Sequence, residues 1–275
     1  MPSAIFPNEL WLDIIPHLEL QPLIAIRCTS RTLRSLAASA ASANIHPLRK
    51  AFLSLYLDII DRPWFLETRP WLLENLRPFD RQAYLDAIAA FPGVHIPEDF
   101  AMWIMEWPEC AVIKCMWPGL PLDQGYRARY YAGHRAGWNC LGMIPPTVLA
   151  FTMMEEIDLG LNTFTRTPGL LLWDQFNSDI EYLLLHRGER FRGYIVGGNH
   201  RFYAEVLSHP DEPHPDDPFW TSWIAYLEDS ANAVQATHRL ERLALEGAVY
   251  SFSPYVLDPS QRVSASLPPW PPAPA

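Results

Sequence analysis

Residues 6–38 read FPNELWLDIIPHLELQPLIAIRCTSRTLRSLAA, which contains two amphipathic patterns in succession. Pro7 suits the first turn of a helix, where its missing N–H would have had no partner. A second helix is expected to open at Pro22, because apolar residues recur after it at intervals of three and four. The apolar positions of the two patterns are Leu10, Ile14, Leu18, Leu23, Ile26 and Leu33. Two helices of about three turns cannot form a core alone, so these faces must pack on the rest of the chain or on another protein.

This segment resembles an F-box, whose pattern is a hydrophobic residue, Pro, any residue, Glu and two hydrophobics, then Ile and Leu on the same face. The positions that fit the pattern are Phe6, Pro7, Glu9, Leu10, Ile14, Leu18, Leu23, Ile26, Arg31, Arg34 and Leu36. Two departures lie in the second helix, with Ser30 at the usual Cys position and Leu33 at the usual Trp position. A third is Pro16 inside the first helix, where we expect a kink because a backbone hydrogen bond is lost.

The resemblance implies docking on the adaptor subunit of a cullin-based (SCF) ubiquitin ligase, with apolar helix faces packed into the partner's groove. The residues expected to contact the adaptor are Phe6, Pro7, Glu9, Leu10, Ile14, Leu18, Leu23, Ile26 and Leu33. The alternative is that these are ordinary amphipathic helices whose leucines belong to the chain's own core. The two interpretations differ in whether the Leu10, Ile14, Leu23 and Ile26 faces stay exposed.

Residues 45–94 alternate helical patterns with prolines. The apolar residues Leu48, Phe52, Leu55 and Ile59 step along one face of a predicted helix. Residues 84–88 indicate another short helix before Pro92 and Gly93. We expect a helical connector that packs the first segment rigidly onto the rest of the chain.

Residues 95–250 combine helical and strand patterns. Ile96 and Pro97 start a predicted helix with an aromatic face before Pro108. Two buried strands are predicted at residues 169–173 and 181–185. Strands at residues 191–196 and 202–207 are predicted to flank a hairpin connection over Gly197, Gly198, Asn199 and His200. Further helices are predicted around residues 219–227 and 231–246.

A helix start with this Ile-Pro-x-x-aromatic pattern, followed by a meander of strands and a Trp-rich helix, resembles SUKH-superfamily domains. These are α+β modules that bind other proteins. The fold class expected is therefore α+β, with an N-terminal α-helical F-box and helical connector followed by a SUKH-like domain. The expected boundaries are 1–44 for the F-box, 45–94 for the connector, 95–250 for the α+β domain and 251–275 for a largely disordered Pro-rich tail.

Composition restricts the class of function. The 275 residues carry 21 Lys plus Arg and 31 Asp plus Glu, and the formal charge of −10 argues against nucleic-acid binding. No apolar run approaches 18 residues, so no membrane span is expected, and we expect a cytoplasmic or nuclear protein. Four scattered cysteines do not form a secreted disulfide framework. A zinc site built from Cys110, Cys115, His134 and Cys140 is disfavoured, because the residues between the first pair read as a strand.

No motif supports catalysis, and no cofactor or metal is expected. The function expected is a non-enzymatic substrate receptor of an SCF ubiquitin ligase, with partners in the adaptor, the cullin scaffold and an unknown target protein. The residues expected to contact the target are Trp173, Arg190, Arg192 and Trp220. The alternative is a free-standing SUKH-like interaction module without a ligase role.

Lysine is scarce in this chain. Only Lys50 and Lys114 carry a side-chain amine, and the other 19 basic residues are Arg. Scarce lysines would slow self-modification of a receptor held beside a ubiquitin-transfer enzyme. A GC-rich coding bias is the alternative explanation.

Overall fold

The computed structural model describes residues 7–43, 45–122, 138–157, 161–174, 180–185, 192–198, 206–207 and 219–245. Residues 1–238 form one compact unit. Residues 239–275 form a second, of which the structure describes only a helical segment ending at Leu245. The predicted site residues Phe6 and Arg190 and the predicted tail lie outside the described residues.

The described residues combine α-helices with one mainly antiparallel sheet, which is an α+β class. The helices are α1 (Asn8–Ile14), α2 (Leu20–Thr29), α3 (Arg31–Ala43), α4 (Pro47–Ile60), α5 (Pro63–Asn75), α6 (Arg81–Ala89), α7 (Glu98–Glu106) and α8 (Trp223–Leu245). The strands are β1 (Trp138–Asn139), β2 (Val148–Ile157), β3 (Leu161–Asp174), β4 (Ile180–Leu184), β5 (Ile195–Gly198), β6 (Val206–Leu207) and β7 (Phe219–Trp220). Among the described residues, no helix is long and apolar enough to span a bilayer.

The first two predicted helices are three in the structure. Pro16 lies in a 3-10 turn, Ile15–His17, that follows α1, so the predicted stripe through Leu18 is not continuous on one helix. Ser30 adopts extended backbone between α2 and α3, and its Oγ accepts a hydrogen bond from the Leu33 N–H at 3.1 Å. A serine in this geometry is a helix N-cap, which explains why the second pattern divides there.

The predicted helices between residues 45 and 108 are confirmed as α4, α6 and α7. Their apolar faces are buried as the spacing predicts, since Phe52, Ile59, Ile88 and Phe100 are fully enclosed. The predicted connector contains a further helix, α5, which continues through Pro70. Pro47 and Pro63 both lie in the first turn of their helices, where proline costs no hydrogen bond.

The sheet has the strand order β6-β2-β3-β4-β5-β7, with β1 pairing β3. All pairs are antiparallel except β2 with β6. The two predicted buried strands are confirmed as the second half of β3 and as β4. The long β2, which forms ten residue pairs with β3, was missed by the sequence analysis.

The predicted hairpin after residue 196 is wrong. Gly197 and Gly198 belong to β5, where they pair with Glu181 and Ile180 of β4. The next described strand, β6, runs parallel to β2 instead of returning along β5. Glycine tolerates extended backbone as readily as a turn, so the Gly-Gly pair alone does not specify a hairpin.

Two other local predictions are corrected. Residues 219–220 form β7, paired with β5, and the helix that follows is continuous from Trp223 to Leu245 instead of two helices. The segment from Cys110 to Cys115 is not a strand, because it runs from a 3-10 turn into Lys114 and Cys115 at φ values of 55° and 54°. These are left-handed conformations that non-glycine residues rarely adopt.

One core of buried side chains extends from Ile15 in the first 3-10 turn to Val234 in α8. At its centre Trp103 packs edge-on against Trp117 and Trp223, with ring centroids 4.7 and 4.8 Å apart. The predicted boundaries at residues 44 and 94 both fall inside the unit that this core supports.

Candidate functional site

The outer surface of α1 exposes apolar side chains. Leu10, Leu12 and Ile14 have exposed fractions of 44%, 40% and 41%, and no residue of this helix is fully buried. Pro7 and Glu9 are also exposed. We call Leu10 and Ile14, which lie one turn apart, the α1 outer face.

An adjacent side of α1, about a quarter turn around the helix from Leu10 and Ile14, faces the core. Trp11 is partly buried against the core, and Ile15, four residues later, is completely buried. Leu18 also packs inward, although the sequence analysis assigned it to the same stripe as Leu10. Residues 11 and 15 therefore anchor the first segment, and residues 10 and 14 turn away from the core.

The remaining predicted adaptor contacts are divided between core and surface. Leu23 is completely buried, so its predicted place on an exposed face is corrected: it is a core residue. Ile26 and Leu33 are half-buried. Of the four residues that separate the two interpretations, Leu10 and Ile14 are exposed, Ile26 is intermediate and Leu23 is enclosed.

Glu106 joins the N-terminal helices to the rest of the unit. Its Oε2 accepts the Leu20 N–H at the start of α2 at 2.8 Å, across 86 residues of sequence. Its two oxygens also accept from Arg49, with the shortest distances 2.7 Å to Nη2 and 2.8 Å to Nε. These hydrogen bonds raise the pKa of the Arg49 guanidinium above its usual value. One buried carboxylate thus ties α2, α4 and α7 together.

The predicted target-contacting tryptophans are packed in the interior or against it. Trp173 is 1% exposed, so its predicted surface role is corrected. Trp220 is half-buried, and its ring lies 5.0 Å from that of Tyr226. Of the described residues predicted to contact a target, Arg192 alone is exposed.

Arg192 lines a cavity of about 330 Å³ between the start of α7, the turn before β5 and the start of α8. The polar residues of its lining are His95, Glu98, Asp99, Arg192, Thr221 and Ser222. Asp99 accepts the Phe100 and Trp223 N–H groups, each at 2.8 Å, and so joins α7 to α8. Burial raises the pKa of Asp99 above its usual value, although these two N–H groups oppose the shift.

A buried polar cluster, formed by Lys114, Glu181 and Tyr226, was missed by the sequence analysis. Lys114 Nζ lies 2.9 Å from both carboxylate oxygens of Glu181, and the Tyr226 hydroxyl donates to the same carboxylate. The Trp173 ring lies 5.0 Å from the Lys114 ammonium, within range of a cation–π contact. The one available signal was a lysine within the apolar sequence AVIKCMW, which needs a partner if that segment is buried.

The cysteines differ in accessibility. Cys28 and Cys110 are exposed, whereas burial raises the pKa of both the Cys115 and the Cys140 thiol to about 12. His134, the fourth residue of the disfavoured zinc set, lies outside the described residues. Among those that the structure describes, no group of three or more His, Cys, Asp or Glu side chains is placed to hold a metal ion.

We expect a thiol-reactive disulfide reagent at pH 8 to modify Cys28 and Cys110 rapidly in the folded chain. Cys115 and Cys140 should react only on unfolding, because burial raises the pKa of both thiols well above that pH and the reagent cannot reach them. Mass spectrometry of quenched samples, with urea-unfolded chain as the control, measures the four rates. Rapid native labelling of Cys115 would contradict the packing described above.

Comparison with known proteins found no relative of this chain. Neither a protein-family model, nor a curated protein, nor a solved structure matches the chain.

Proposed function

We propose that this chain is a substrate receptor of an SCF-type ubiquitin ligase, which docks on the adaptor subunit through the α1 outer face and reaches the cullin scaffold through that adaptor. The observation that carries the proposal is the exposure of Leu10 and Ile14, while Trp11 of the same helix and Ile15 of the turn that follows it pack on the core. These two exposed residues are also positions at which the chain resembles an F-box.

The energetics of burial support a docking role for this face. Burying a fully exposed Leu or Ile side chain contributes about 1.5–3 kcal/mol, so covering the 44% and 41% of Leu10 and Ile14 that are exposed contributes about 1–3 kcal/mol together. Rigid attachment favours binding further, because a preordered helix loses little entropy on docking. Core packing of Trp11 and Ile15 supplies that attachment, and the Glu106 contacts to Leu20 and Arg49 hold the helix that follows.

Target recognition in this proposal belongs to the cavity beside Arg192. It brings the positively charged Arg192 side chain together with two carboxyl groups, two hydroxyl groups and an imidazole. The receptor itself would contribute proximity and orientation, while the ubiquitin-transfer enzyme supplies the chemistry. Comparing the proteins that co-purify with the wild-type chain and with Arg192→Glu tests this assignment, and an unchanged set would contradict it.

The docking proposal predicts that Leu10→Asp with Ile14→Asp lowers affinity for the SCF adaptor at least about 30-fold, which corresponds to about 2 kcal/mol. Leu10 and Ile14 are 44% and 41% exposed and neither belongs to the core, so the double variant should still fold. The matched control is Leu66→Asp with Leu73→Asp, because these leucines are 67% and 58% exposed on α5. Calorimetric titration of purified adaptor into each full-length chain measures the difference.

Equal affinities for the two double variants, or no binding by the wild-type chain, would contradict the docking proposal. The second candidate function, a SUKH-like interaction module without a ligase role, would then be favoured. Its specific support is Leu23, which is completely buried and so joins the second helix to the chain's own core.

A further inference from the structure

The chain has unusually few side-chain amines. Of its 21 basic residues outside histidine, 19 are arginines, and only Lys50 and Lys114 carry a primary amine. A guanidinium stays protonated in proteins and does not act as an acyl acceptor. Lysine-linked modification of these 275 residues therefore has two candidate positions.

Lys114 is not accessible to such chemistry. It is 6% exposed, and its Nζ is held at 2.9 Å by both oxygens of Glu181. The backbone at Lys114 is left-handed, with φ of 55°, and its side chain contacts a partner 67 residues away in sequence. An acyl acceptor must be neutral and must reach the donor's carbonyl carbon. A charged amine enclosed in an ion pair satisfies neither requirement.

Lys50 has the opposite environment. It lies in the first turn of α4, where its backbone N–H donates to the His46 carbonyl at 3.0 Å, and its side chain is exposed. The preceding residue, Arg49, donates to the buried Glu106 carboxylate, whereas Lys50 is exposed. Among the contacts of the described residues, Lys50 has no ion-pair partner. It also follows the three N-terminal helices closely in sequence.

We propose that Lys50 is the single lysine through which this chain accepts ubiquitin or a similar protein modifier. The inference rests on the proposed function, which brings a thioester-charged conjugating enzyme to the chain. The neutral Nζ of Lys50 attacks the carbonyl carbon of the modifier's C-terminal thioester. The C–N bond forms, the C–S bond breaks with its electron pair leaving on the enzyme's cysteine thiolate, and the amine proton passes to solvent.

A first experiment tests the accessibility of the two amines without any ligase component. The folded full-length chain is treated with an acetylating N-hydroxysuccinimide ester, and acetylation of each lysine is followed by mass spectrometry. We expect Lys50 to react at least tenfold faster than Lys114, with the difference abolished in urea. Equal rates in the folded chain would overturn the inference whatever the function of the protein.

A second experiment tests the transfer itself. The full-length chain is combined with adaptor, cullin scaffold, conjugating enzyme and modifier, and Lys50→Arg is compared with wild type. We expect lysine-linked conjugates on the chain to be lost in the variant while adaptor binding is unchanged. The Lys50 inference would be overturned if lysine-linked conjugates persisted in the variant, or if an adaptor-bound wild-type chain formed no such conjugates. Either result would leave the adaptor-docking proposal unaffected. Failure of wild type to bind adaptor would overturn the proposed function, which the acetylation rates do not test.

Discussion

Replacing Glu181 with glutamine should lower the free energy of unfolding by about 3–5 kcal/mol, because it leaves the Lys114 charge buried without a counter-ion. Lys114 and Glu181 have side-chain exposures of 6% and 4%, so water cannot replace the lost carboxylate. Urea unfolding followed by tryptophan fluorescence measures the change. The control is Glu74→Gln, since Glu74 is exposed and should tolerate the same chemical change within about 0.5 kcal/mol.

A double-mutant cycle separates the ion pair from simple packing at this position. Lys114→Met alone should also destabilise the chain, because the Glu181 carboxylate then lacks its cation. Combining Lys114→Met with Glu181→Gln removes both charges and keeps an oxygen that can accept the Tyr226 hydroxyl. We expect the double variant to be about 2 kcal/mol more stable than the sum of the single changes implies. Additive effects, or a loss below about 1 kcal/mol for Glu181→Gln, would show that the pair is not isolated from solvent.

Removing the Glu106 carboxylate should have the second largest effect. Glu106→Ala leaves the buried Leu20 N–H without its acceptor and the Arg49 guanidinium without both oxygens. We expect a loss of about 3 kcal/mol, less than a fully enclosed pair would give, because the Arg49 side chain is 22% exposed and can partly rehydrate. Glu106→Gln should cost about half as much, since its amide oxygen still accepts one hydrogen bond.

A matched control for Glu106 lies three residues away. The Glu109 carboxylate is 3.7 Å from Arg81 and its side chain is 47% exposed, so Glu109→Ala should change stability by no more than about 0.5 kcal/mol. Thermal and urea unfolding of the three variants provide the comparison. Similar losses at residues 106 and 109 would mean that Glu106 is not the joint between α2, α4 and α7.

The helical half of the fold was largely predictable from residue spacing. Apolar positions such as Phe52, Ile59 and Phe100 recur with the helical period, and burial acts on each helix as a unit. The start of α7 directly after Pro97 was also predicted correctly. The breaks beside Pro16 and Ser30 were harder to place, because local residue preferences compete there with the amphipathic pattern.

Strand pairing could not be predicted in the same way. The choice between a hairpin at Gly197 and a strand through it depends on whether β4 offers a free edge, which is a property of residues far away in sequence. The candidate site shows the same limit. Spacing identified Leu10, Ile14 and Leu18 as one stripe, but the burial of Trp11 and Ile15 decides which of them faces outward.

By itself the amino-acid sequence determined the α+β class, the positions of α4, α6 and α7, and the presence of only two side-chain amines. Only the tertiary structure decided that Lys114 is paired with Glu181 while Lys50 is exposed, and that Leu10 faces outward while Leu23 joins the core. The physical reason is that periodicity is a local property of the chain. Burial and ion pairing depend instead on which distant segments share the same space, here across 67 residues for Lys114 and Glu181 and 86 residues for Leu20 and Glu106.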